Sequence, residues 1–516
     1  MTARPLFPPL PVRESRTKLG LEIAAAGVAG GLVGDTLLRA MPWGLNVAIG
    51  TTALAGAGAW LIRRHHIKPG ADTPWLAITA VLLGLAFLRR DAETLAAFDV
   101  IALIVTLALA AASLQGEAVS RWYALDYLRG IATAAFGSIF GSLQLIFSDI
   151  QWRELPQDGP GGGGGGLRHA RSVALGVLIA APLLIIFAAL FASADPIFDN
   201  VLANLFAFDM EAVITHTFFF CFWAALTAGL FRWGFLGQPV TNFAVKSKPL
   251  TTIVPVATAL ALIDFLFLMF VVVQLRYFFG GAGLVQETSG LTYASYAREG
   301  FFQLVAASAL VMPIVLGADH LVSASSPAQL RVFRQLVGLL LALLAVIMIS
   351  ALKRMQLYVA AYGLTADRLY ATAFMILLIG VFAWFAWTLL RSQRQRFAFG
   401  ALMQALAVLA GLHVLNPDAF IARTNLNRPV AERPFDAQYA ASLSADAVPV
   451  LIEALPHLPP ADQCAVARVF LKRWGDSDTD WRTWNWSRSR ARGLVSEHAH
   501  ELRAMNSCPP LRSRRD

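Results

Sequence analysis

Three segments of the sequence combine carboxylate, guanidinium and tyrosine side chains, a mixture that suits the binding of an anionic head group or solute. One is SADPIFDN, which begins at residue 193, and the others lie near residues 293–299 and 354–368. Guanidinium groups bind phosphate or carboxylate oxygens in pairs, and tyrosine hydroxyls add further hydrogen bonds. We predict a substrate-binding vestibule formed by Asp195, Asp199, Tyr293, Tyr296, Arg298, Glu299, Arg354, Gln356, Tyr358, Tyr362 and Arg368.

These residues have an alternative interpretation as an aromatic belt, in which tyrosines lie at a membrane interface and Lys or Arg side chains extend towards water. Polytopic membrane proteins commonly carry such belts. The concentration of acidic, basic and aromatic groups in three segments favours a site, because other loops are mostly basic. The sequence leaves both interpretations open.

Two ionisable residues lie inside apolar runs, where a charge costs about 2.5 to 3.5 kcal/mol on insertion scales. Asp264 is near the middle of the run 251–275, and His216 precedes three phenylalanines. Asp264 fits either a proton or cation pathway or a carboxyl bonded to a neighbouring helix. For His216 we favour a structural hydrogen bond over metal ligation.

Residue spacing diagnostic of an active site is missing from the sequence. There is no HExxH motif, no Cys/His ligand spacing, and no nucleophile and base at a diagnostic distance. We therefore predict no catalytic residue, no metal and no cofactor, and we favour a non-enzymatic protein.

Composition indicates a membrane protein that must position these residues on helices. Hydrophobic residues make up 57% of the 516 residues and charged residues 15%, against about 25% charged in ordinary soluble domains. The mean hydropathy is +0.58. A water-soluble fold cannot bury that much apolar surface.

A membrane-crossing helix needs about 20 mostly apolar residues, and the chain contains about eleven such runs. The expected fold is an all-α polytopic transmembrane bundle with a small C-terminal helical soluble domain. The predicted spans are 21–38, 43–62, 73–88, 95–114, 170–192, 211–231, 251–275, 300–322, 335–353, 369–390 and 397–414.

The predicted domain organisation follows these runs. It comprises a cytoplasmic tail (1–18), N-terminal helices (19–114), an amphipathic segment with a Gly-rich loop (115–169), a main membrane domain (170–414) and the C-terminal helical domain (415–516). The segment 124–147 contains Asp126 and Arg129 and spaces its large residues unevenly. We predict an interfacial amphipathic helix there instead of a span.

Orientation follows from Lys and Arg residues, which are retained in cytoplasmic loops. The basic N-terminus and most of the basic loops fall on the cytoplasmic side if eleven spans alternate, and the C-terminal domain falls outside. Arg89, Arg90, Lys353 and Arg354 are exceptions, since alternation places them outside.

The C-terminal domain contains two of the three cysteines. Cys464 and Cys508 are predicted to form a disulfide if the domain is extracytoplasmic, while Cys221 packs in an apolar run. The stretch DWRTWNWSRSRAR resembles a nucleic-acid stacking surface. Because residues from Asn416 onward contain 14 Lys and Arg against 12 Asp and Glu, we expect no nucleic-acid partner.

Several motifs give the chain a family resemblance. They are SADPIF at 193, SYAREGFFQL at 295, RMQLYVAAYGLTADRLYA at 354, LNPDAFIARTNLNR at 415 and DAQYAASLSADAVPVLIEAL at 436. In these stretches the chain resembles bacterial membrane proteins with the domains of unknown function numbered 4153 and 4173. The resemblance implies a multi-span protein of the bacterial inner membrane and transfers no catalytic residue.

Three function classes remain at this point. The first is binding or transport of an anionic lipid or small solute at the vestibule, with membrane lipids as partners. The second is a scaffold or sensor whose C-terminal domain binds an envelope protein. An intramembrane enzyme comes last. The sequence does not indicate an oligomeric state.

Overall fold

A computed structural model of the chain describes residues 13–152, parts of 176–198, and 210–238, 253–279, 301–322, 326–391, 393–428, 435–475 and 480–506. These residues form helices and turns and contain no strand. Nine of the described helices are long and apolar enough to cross a membrane, and Thr73–Ala86 and Gln303–Asp319 are shorter apolar helices. The predicted all-α polytopic bundle is confirmed.

The helices of the membrane part are numbered in chain order. They are α1 (Arg13–Val33, continued by a π-helical turn Gly34–Leu38), α2 (Leu45–Arg64), α3 (Thr73–Ala86), α4 (Glu93–Leu114), α5 (Ala124–Gln144, continued by a π-helical turn Leu145–Asp149), α6 (Met210–Leu236), α7 (Val254–Phe279), α8 (Phe301–Val322), α9 (Pro327–Tyr362), α10 (Ala366–Leu390) and α11 (Phe397–Leu415).

The C-terminal unit follows directly. It contains α12 (Pro417–Leu426), α13 (Ala437–Ser442), α14 (Val448–Ala454), α15 (Pro460–Trp474), α16 (Trp486–Glu497) and α17 (Ala499–Met505), with short 3-10 turns at Ala445–Ala447, Leu455–His457 and Trp481–Thr483. Side-chain caps begin four of these elements, where Asp436, Ser444, Asp480 and Asn485 accept hydrogen bonds from backbone N–H groups two or three residues later.

Helix α7 shows why the bundle requires a membrane. Its residues Val256 and Leu260 are buried against α8 and α9, whereas Leu262, Phe265 and Leu266 are exposed on the outside. A helix that is apolar on every side is stable only when its outer face contacts lipid. The same pattern of exposed large apolar residues recurs along α4, α5 and α9.

Small residues bring α1 and α6 into close contact. Gly27, Gly30, Gly31 and Gly34 all lie against α6, and the four-residue spacing of Gly27 with Gly31 and of Gly30 with Gly34 permits close helix packing. A β-carbon at Gly34 would lie 2.1 Å from the ring of Trp223. The two helices therefore have no space for a side chain at this position.

Replacing Gly34 by Ala should therefore force α1 and α6 apart. We expect a loss of about 1–3 kcal/mol of unfolding free energy, the usual cost of overpacking. Gly56 in α2 is the matched control, because no atom lies within 4 Å of a β-carbon built there. Gly56→Ala should leave the stability unchanged or raise it slightly. Equal thermal unfolding midpoints for the two variants would contradict this packing.

Helix α5 does not run from one end of the bundle to the other. Its first turns contain Tyr127, which packs in one cluster with Ala111 near the end of α4 and Trp233 near the end of α6. Its last turn packs Leu145 with Leu19 near the beginning of α1. Both ends of α5 therefore pack at the same end of the bundle, although α5 is long and apolar enough to be one of the nine candidate membrane-crossing helices.

Ten of the described helices connect the two ends of the bundle. They are eight of the nine long apolar helices, all except α5, and the shorter helices α3 and α8. We name the end where α1 begins the basal end; it also holds Arg64, Arg232 and Arg391. The opposite end holds Thr36, Leu88, Gly363 and Asn416 and is covered by the C-terminal unit, so we name it the capped end. The predicted span 170–192 is described only in part.

The C-terminal unit shares its hydrophobic core with the membrane part. Ile421, Leu451 and Phe470 pack in one cluster with Leu364, in the turn between α9 and α10, and Leu369, in the first turn of α10. Because this core is continuous, the C-terminal unit is a fixed cap on the bundle and not a separately tethered domain.

Candidate functional site at the capped end

Buried ion pairs attach the C-terminal unit to the turn between α3 and α4. The Asp446 carboxylate accepts hydrogen bonds from the Asp91 backbone N–H (2.8 Å), the Ser487 hydroxyl (2.6 Å) and the Arg90 guanidinium (3.3 Å). Only 1% of the Asp446 side chain is exposed. Arg90 also donates to the backbone carbonyl of His413 at 2.7 and 2.9 Å. The charge of Arg90 is therefore neutralised inside the protein.

A second buried pair lies beside the first. Arg488 donates to Asp91 at 2.6 Å, and the Ala445 backbone N–H donates to the same carboxylate at 3.1 Å. Arg488 also donates to the Trp43 carbonyl at 2.9 Å. We name Arg90, Asp91, Asp446 and Arg488 the ionic lock. They join the α3–α4 turn to two parts of the C-terminal unit, the 3-10 turn Ala445–Ala447 and helix α16.

Backbone groups of the α3–α4 turn add to this attachment. The Asn485 amide donates to the carbonyls of Phe87 (2.7 Å) and Arg90 (2.8 Å), and the Trp486 backbone N–H donates to Leu88 (2.7 Å). Carbonyl groups that a turn leaves without helical partners are thereby satisfied. The turn and the segment 485–488 consequently form one polar seam.

The carboxyl groups of Asp91 and Asp418 are both buried at the capped end. Burial raises the pKa of Asp91, although Arg488 and the Ala445 N–H both favour the ionised carboxylate. Burial likewise raises the pKa of Asp418, which accepts a hydrogen bond from the Ser444 backbone N–H at 2.9 Å. Buried ion pairs of this kind contribute little net stability, because the free-energy cost of removing water from the two charges is about as large as the gain from pairing them. Their main effect is to fix the relative positions of the segments that they join.

The turn between α9 and α10 is also held by the C-terminal unit. Asn425 of α12 accepts from the Leu364 backbone N–H and donates to the Leu364 carbonyl, both at 2.8 Å. The Tyr439 hydroxyl accepts from the Ala366 N–H at 2.9 Å. Gly363 begins the turn with φ of +82°, a conformation that favours glycine. These contacts fix the beginning of α10.

Two guanidinium groups meet at this turn. Arg368 donates to the Gly363 carbonyl, and its guanidinium carbon lies 4.0 Å from the centre of the Tyr358 ring and 5.8 Å from that of Tyr362. Arg428 donates to the Ala360 carbonyl from the other side of the turn. In the part of the chain that the structure describes, neither arginine forms a salt bridge. We name Tyr358, Tyr362, Arg368 and Arg428 the arginine–tyrosine site.

The structure brings only part of the predicted vestibule together. Tyr358, Tyr362 and Arg368 are in contact, while Gln356 is exposed and Arg354 half-buried one turn earlier on α9. Asp195 is exposed. Predicted residues outside the described part are Asp199, Tyr293, Tyr296, Arg298 and Glu299.

Sequence reasoning missed Arg428. Its signal was present, because Arg428 ends the motif LNPDAFIARTNLNR, but nothing in the sequence indicates that this motif folds back onto the α9–α10 turn. The ionic lock was also missed, although Arg90 had been noticed as an exception and Arg488 lies in the Trp- and Arg-rich stretch.

Asp264 and His216, the two ionisable residues predicted inside apolar runs, differ in their hydrogen-bond partners. Asp264 is 4% exposed, and neither of its carboxylate oxygens has a hydrogen-bond partner among the residues described. His216 lies with its Nδ1 2.8 Å from both carboxylate oxygens of Asp35, so α1 and α6 are joined by a polar contact near the capped end. The searched residues contain no group of three metal-ligating side chains.

The cysteines differ in state. Cys221 is a free, exposed thiol. Cys464 is buried and disulfide-bonded. Cys508 lies outside the described residues, so the pairing of Cys464 with Cys508 stays a prediction.

Comparison with known proteins gives one match. The family model described as Domain of unknown function (DUF4153) matches residues 77–454, most of the chain. No curated protein and no solved structure matches. The match includes the arginine–tyrosine site and three residues of the ionic lock, Arg90, Asp91 and Asp446, and ends before Arg488.

Proposed function

The chain belongs to this family of domain of unknown function 4153, and we propose that this multi-pass membrane protein binds or transports an anionic lipid or small anionic solute at the arginine–tyrosine site. The single observation that carries the proposal is the convergence of Arg368 and Arg428 on one turn without a carboxylate partner in the described residues. Two adjacent positive charges favour an anion between or beside them.

The ionic lock provides the comparison that makes these two arginines informative. Arg90 and Arg488 lie at the same end of the bundle, and each is paired with a buried carboxylate. The charges of Arg90 and Arg488 are therefore neutralised by carboxylates of the protein itself. Arg368 and Arg428 each donate to a backbone carbonyl, which orients the guanidinium and leaves the rest of its five N–H donors for a ligand.

The tyrosines hold Arg368 in place. The rings of Tyr358 and Tyr362 lie 5.1 Å apart at 65°, and the Arg368 guanidinium lies over the first. Stacking of this kind restricts an otherwise flexible side chain, so less conformational entropy is lost when an anion binds. The hydroxyls supply further donors beside the charge.

We infer that the protein lies in a bacterial inner membrane with its basal end in the cytoplasm and its capped end outside. Arg64, Arg121, Arg334 and Arg391 all lie at the basal end, as the positive-inside rule requires of cytoplasmic loops. The neutralisation of Arg90 removes one exception to that rule. The binding site then faces the extracytoplasmic side.

Replacing both Arg368 and Arg428 by Gln should reduce the affinity for an anionic probe at least tenfold. A hydrogen bond to a charged group contributes about 1.5–3 kcal/mol, and each 1.4 kcal/mol is a factor of ten in affinity. The probe is dihexanoyl phosphatidylglycerol, titrated against the whole protein in nanodiscs by thermophoresis. Glycerol phosphate, titrated separately, distinguishes a free anion from a lipid head group.

Arg423→Gln is the matched control, because Arg423 is exposed on α12, which ends two residues before Arg428. It should bind the probe as the wild type does, and the zwitterionic dihexanoyl phosphatidylcholine should bind weakly to all variants. Equal binding by the wild type and the Arg368→Gln, Arg428→Gln variant would overturn the proposed function.

A further inference from the structure

A short segment of the C-terminal unit exposes three large aromatic side chains. Trp481, Trp484 and Trp486 are 61%, 43% and 59% exposed. We name these three residues the tryptophan foot. Tryptophan has an apolar body and one polar N–H, and it accumulates where a membrane meets water.

Hydrogen bonds fix the foot at the ends of three membrane helices. The Arg482 guanidinium donates to the Thr36 carbonyl (2.6 Å) at the end of α1, and the Leu45 backbone N–H at the beginning of α2 donates to the Trp484 carbonyl (2.9 Å). The Trp486 N–H donates to Leu88 (2.7 Å) after α3. Because α1 and α2 are long and apolar enough to cross a membrane, we infer that the foot, at their ends, lies at the level of the lipid head groups.

An apolar crevice of about 430 Å³ lies between α1, α2, α4 and α6. Ala53 and Trp223 line it, and Leu38, Trp43 and Phe87 close it towards the capped end. None of the described residues that line it is charged. Its volume falls within the range of about 300–1,000 Å³ that ligand pockets occupy, and its lining suits a hydrocarbon chain.

The foot and the crevice adjoin each other. The anchors of the foot, Thr36, Leu45 and Leu88, are one or two positions from the residues Leu38, Trp43 and Phe87 that close the crevice. A molecule with an apolar chain in the crevice would therefore have its polar end beside the tryptophans. Membrane phospholipids have this division between chain and head group.

We propose that the foot and the crevice together form a binding site for one phospholipid, with an acyl chain between α1, α2, α4 and α6 and its head group against the tryptophan foot. Arg490 is exposed one helical turn after Trp486 on α16 and supplies a positive charge for the lipid phosphate. This site uses none of the residues of the arginine–tyrosine site.

The membrane itself favours a lipid over a protein as the occupant. The crevice lies within the apolar length of the helices, where lipid chains are the surrounding solvent, and the foot continues the surface that those helices present to lipid. A protein ligand would have to insert an apolar segment at the same depth.

The test measures the phospholipid that remains on the whole protein after exchange from dioleoyl phosphatidylglycerol nanodiscs into detergent, by native mass spectrometry. Ala53→Trp fills the crevice, and Ala59→Trp is the matched control, because Ala59 is exposed on α2 and does not line it. We expect one retained lipid on the wild type and the control, and about tenfold less on Ala53→Trp.

A second variant tests the head-group half of the site. Replacing the three foot tryptophans by Ser should lower retention by a similar factor while the thermal unfolding midpoint confirms that the cap is still folded. Wild-type protein without retained lipid, or undiminished retention by Ala53→Trp or by the folded foot variant, would overturn the proposal. Binding by Arg368→Gln, Arg428→Gln protein should remain at the wild-type level, which separates this site from the proposed function.

Discussion

Arg488→Ala should lower the unfolding free energy by about 3–5 kcal/mol and release the segment 485–488 from the membrane part. Arg488 is 6% exposed and neutralises Asp91, so its removal leaves a buried carboxylate without its charge partner. Two further bonds, to Trp43 and Thr483, are lost at the same time. Unfolding titrations in mixed micelles and the rate of proteolysis within the C-terminal unit measure the effect.

Arg490→Ala is the control for this substitution. It lies on the same helix, is exposed, and should change stability by no more than about 0.5 kcal/mol. The paired variant Asp91→Asn with Arg488→Met removes both charges and should be more stable than Arg488→Ala. An Arg488→Ala protein as stable as the Arg490→Ala protein would show that the ionic lock does not hold the cap.

The raised pKa of Asp91 explains why the paired variant, Asp91→Asn with Arg488→Met, should regain unfolding free energy relative to Arg488→Ala. Since the folded-state pKa lies above the unfolded value, the folded protein binds the proton more tightly than the unfolded chain does. Stability contributed by Asp91 therefore falls as the pH rises from the unfolded to the folded pKa, and the cost is fully present above both. Removing the charge relieves that cost.

Asp149→Ala should cost about 3 kcal/mol and free the end of α5 at the opposite, basal end. Asp149 bonds Arg16 and Arg232, both at 2.8 Å, and its side chain is 4% exposed. Asp149 thereby links the end of α5 to α1 and α6. Its removal leaves the largely buried Arg232 without this carboxylate partner. Hydrogen exchange of the α5 backbone should quicken over residues 141–149.

Glu22→Ala is the corresponding control at the basal end. Glu22 also bridges two cationic side chains, Arg64 at 2.8 Å and His65 at 2.9 Å, but it is more exposed than Asp149. Exposed pairs contribute about 0–1 kcal/mol, so its removal should be mild. Similar exchange rates in α5 for the two variants would mean that Asp149 does not attach this helix.

Local pattern was enough to predict much of the fold. Runs of about 20 apolar residues predicted the long apolar helices. By length and composition α5 is one of them, so the interfacial position that Asp126 and Arg129 suggest stays a prediction. The four-residue spacing of glycines in α1 is typical of a close helix contact, but it does not indicate that α6 is the partner. Each of these inferences depends on residues within a few turns of one another.

The candidate site depended on contacts that local pattern does not contain. Asp91 and Asp446 are 355 positions apart, and Arg488 reaches Asp91 across 397. Nothing about a lone aspartate in a loop indicates which arginine neutralises it. For the same reason, Arg368 was predicted from its own motif, whereas Arg428 became visible only when α12 was seen to fold back onto the α9–α10 turn.

The most direct test of the arginine–tyrosine site is an experimental density map of the whole protein in phosphatidylglycerol nanodiscs. We expect head-group density within hydrogen-bonding distance of both Arg368 and Arg428, beside the ring of Tyr358. A map in which the two guanidinium groups instead pair with carboxylates of the protein itself, with no ligand density between them, would contradict the proposed function.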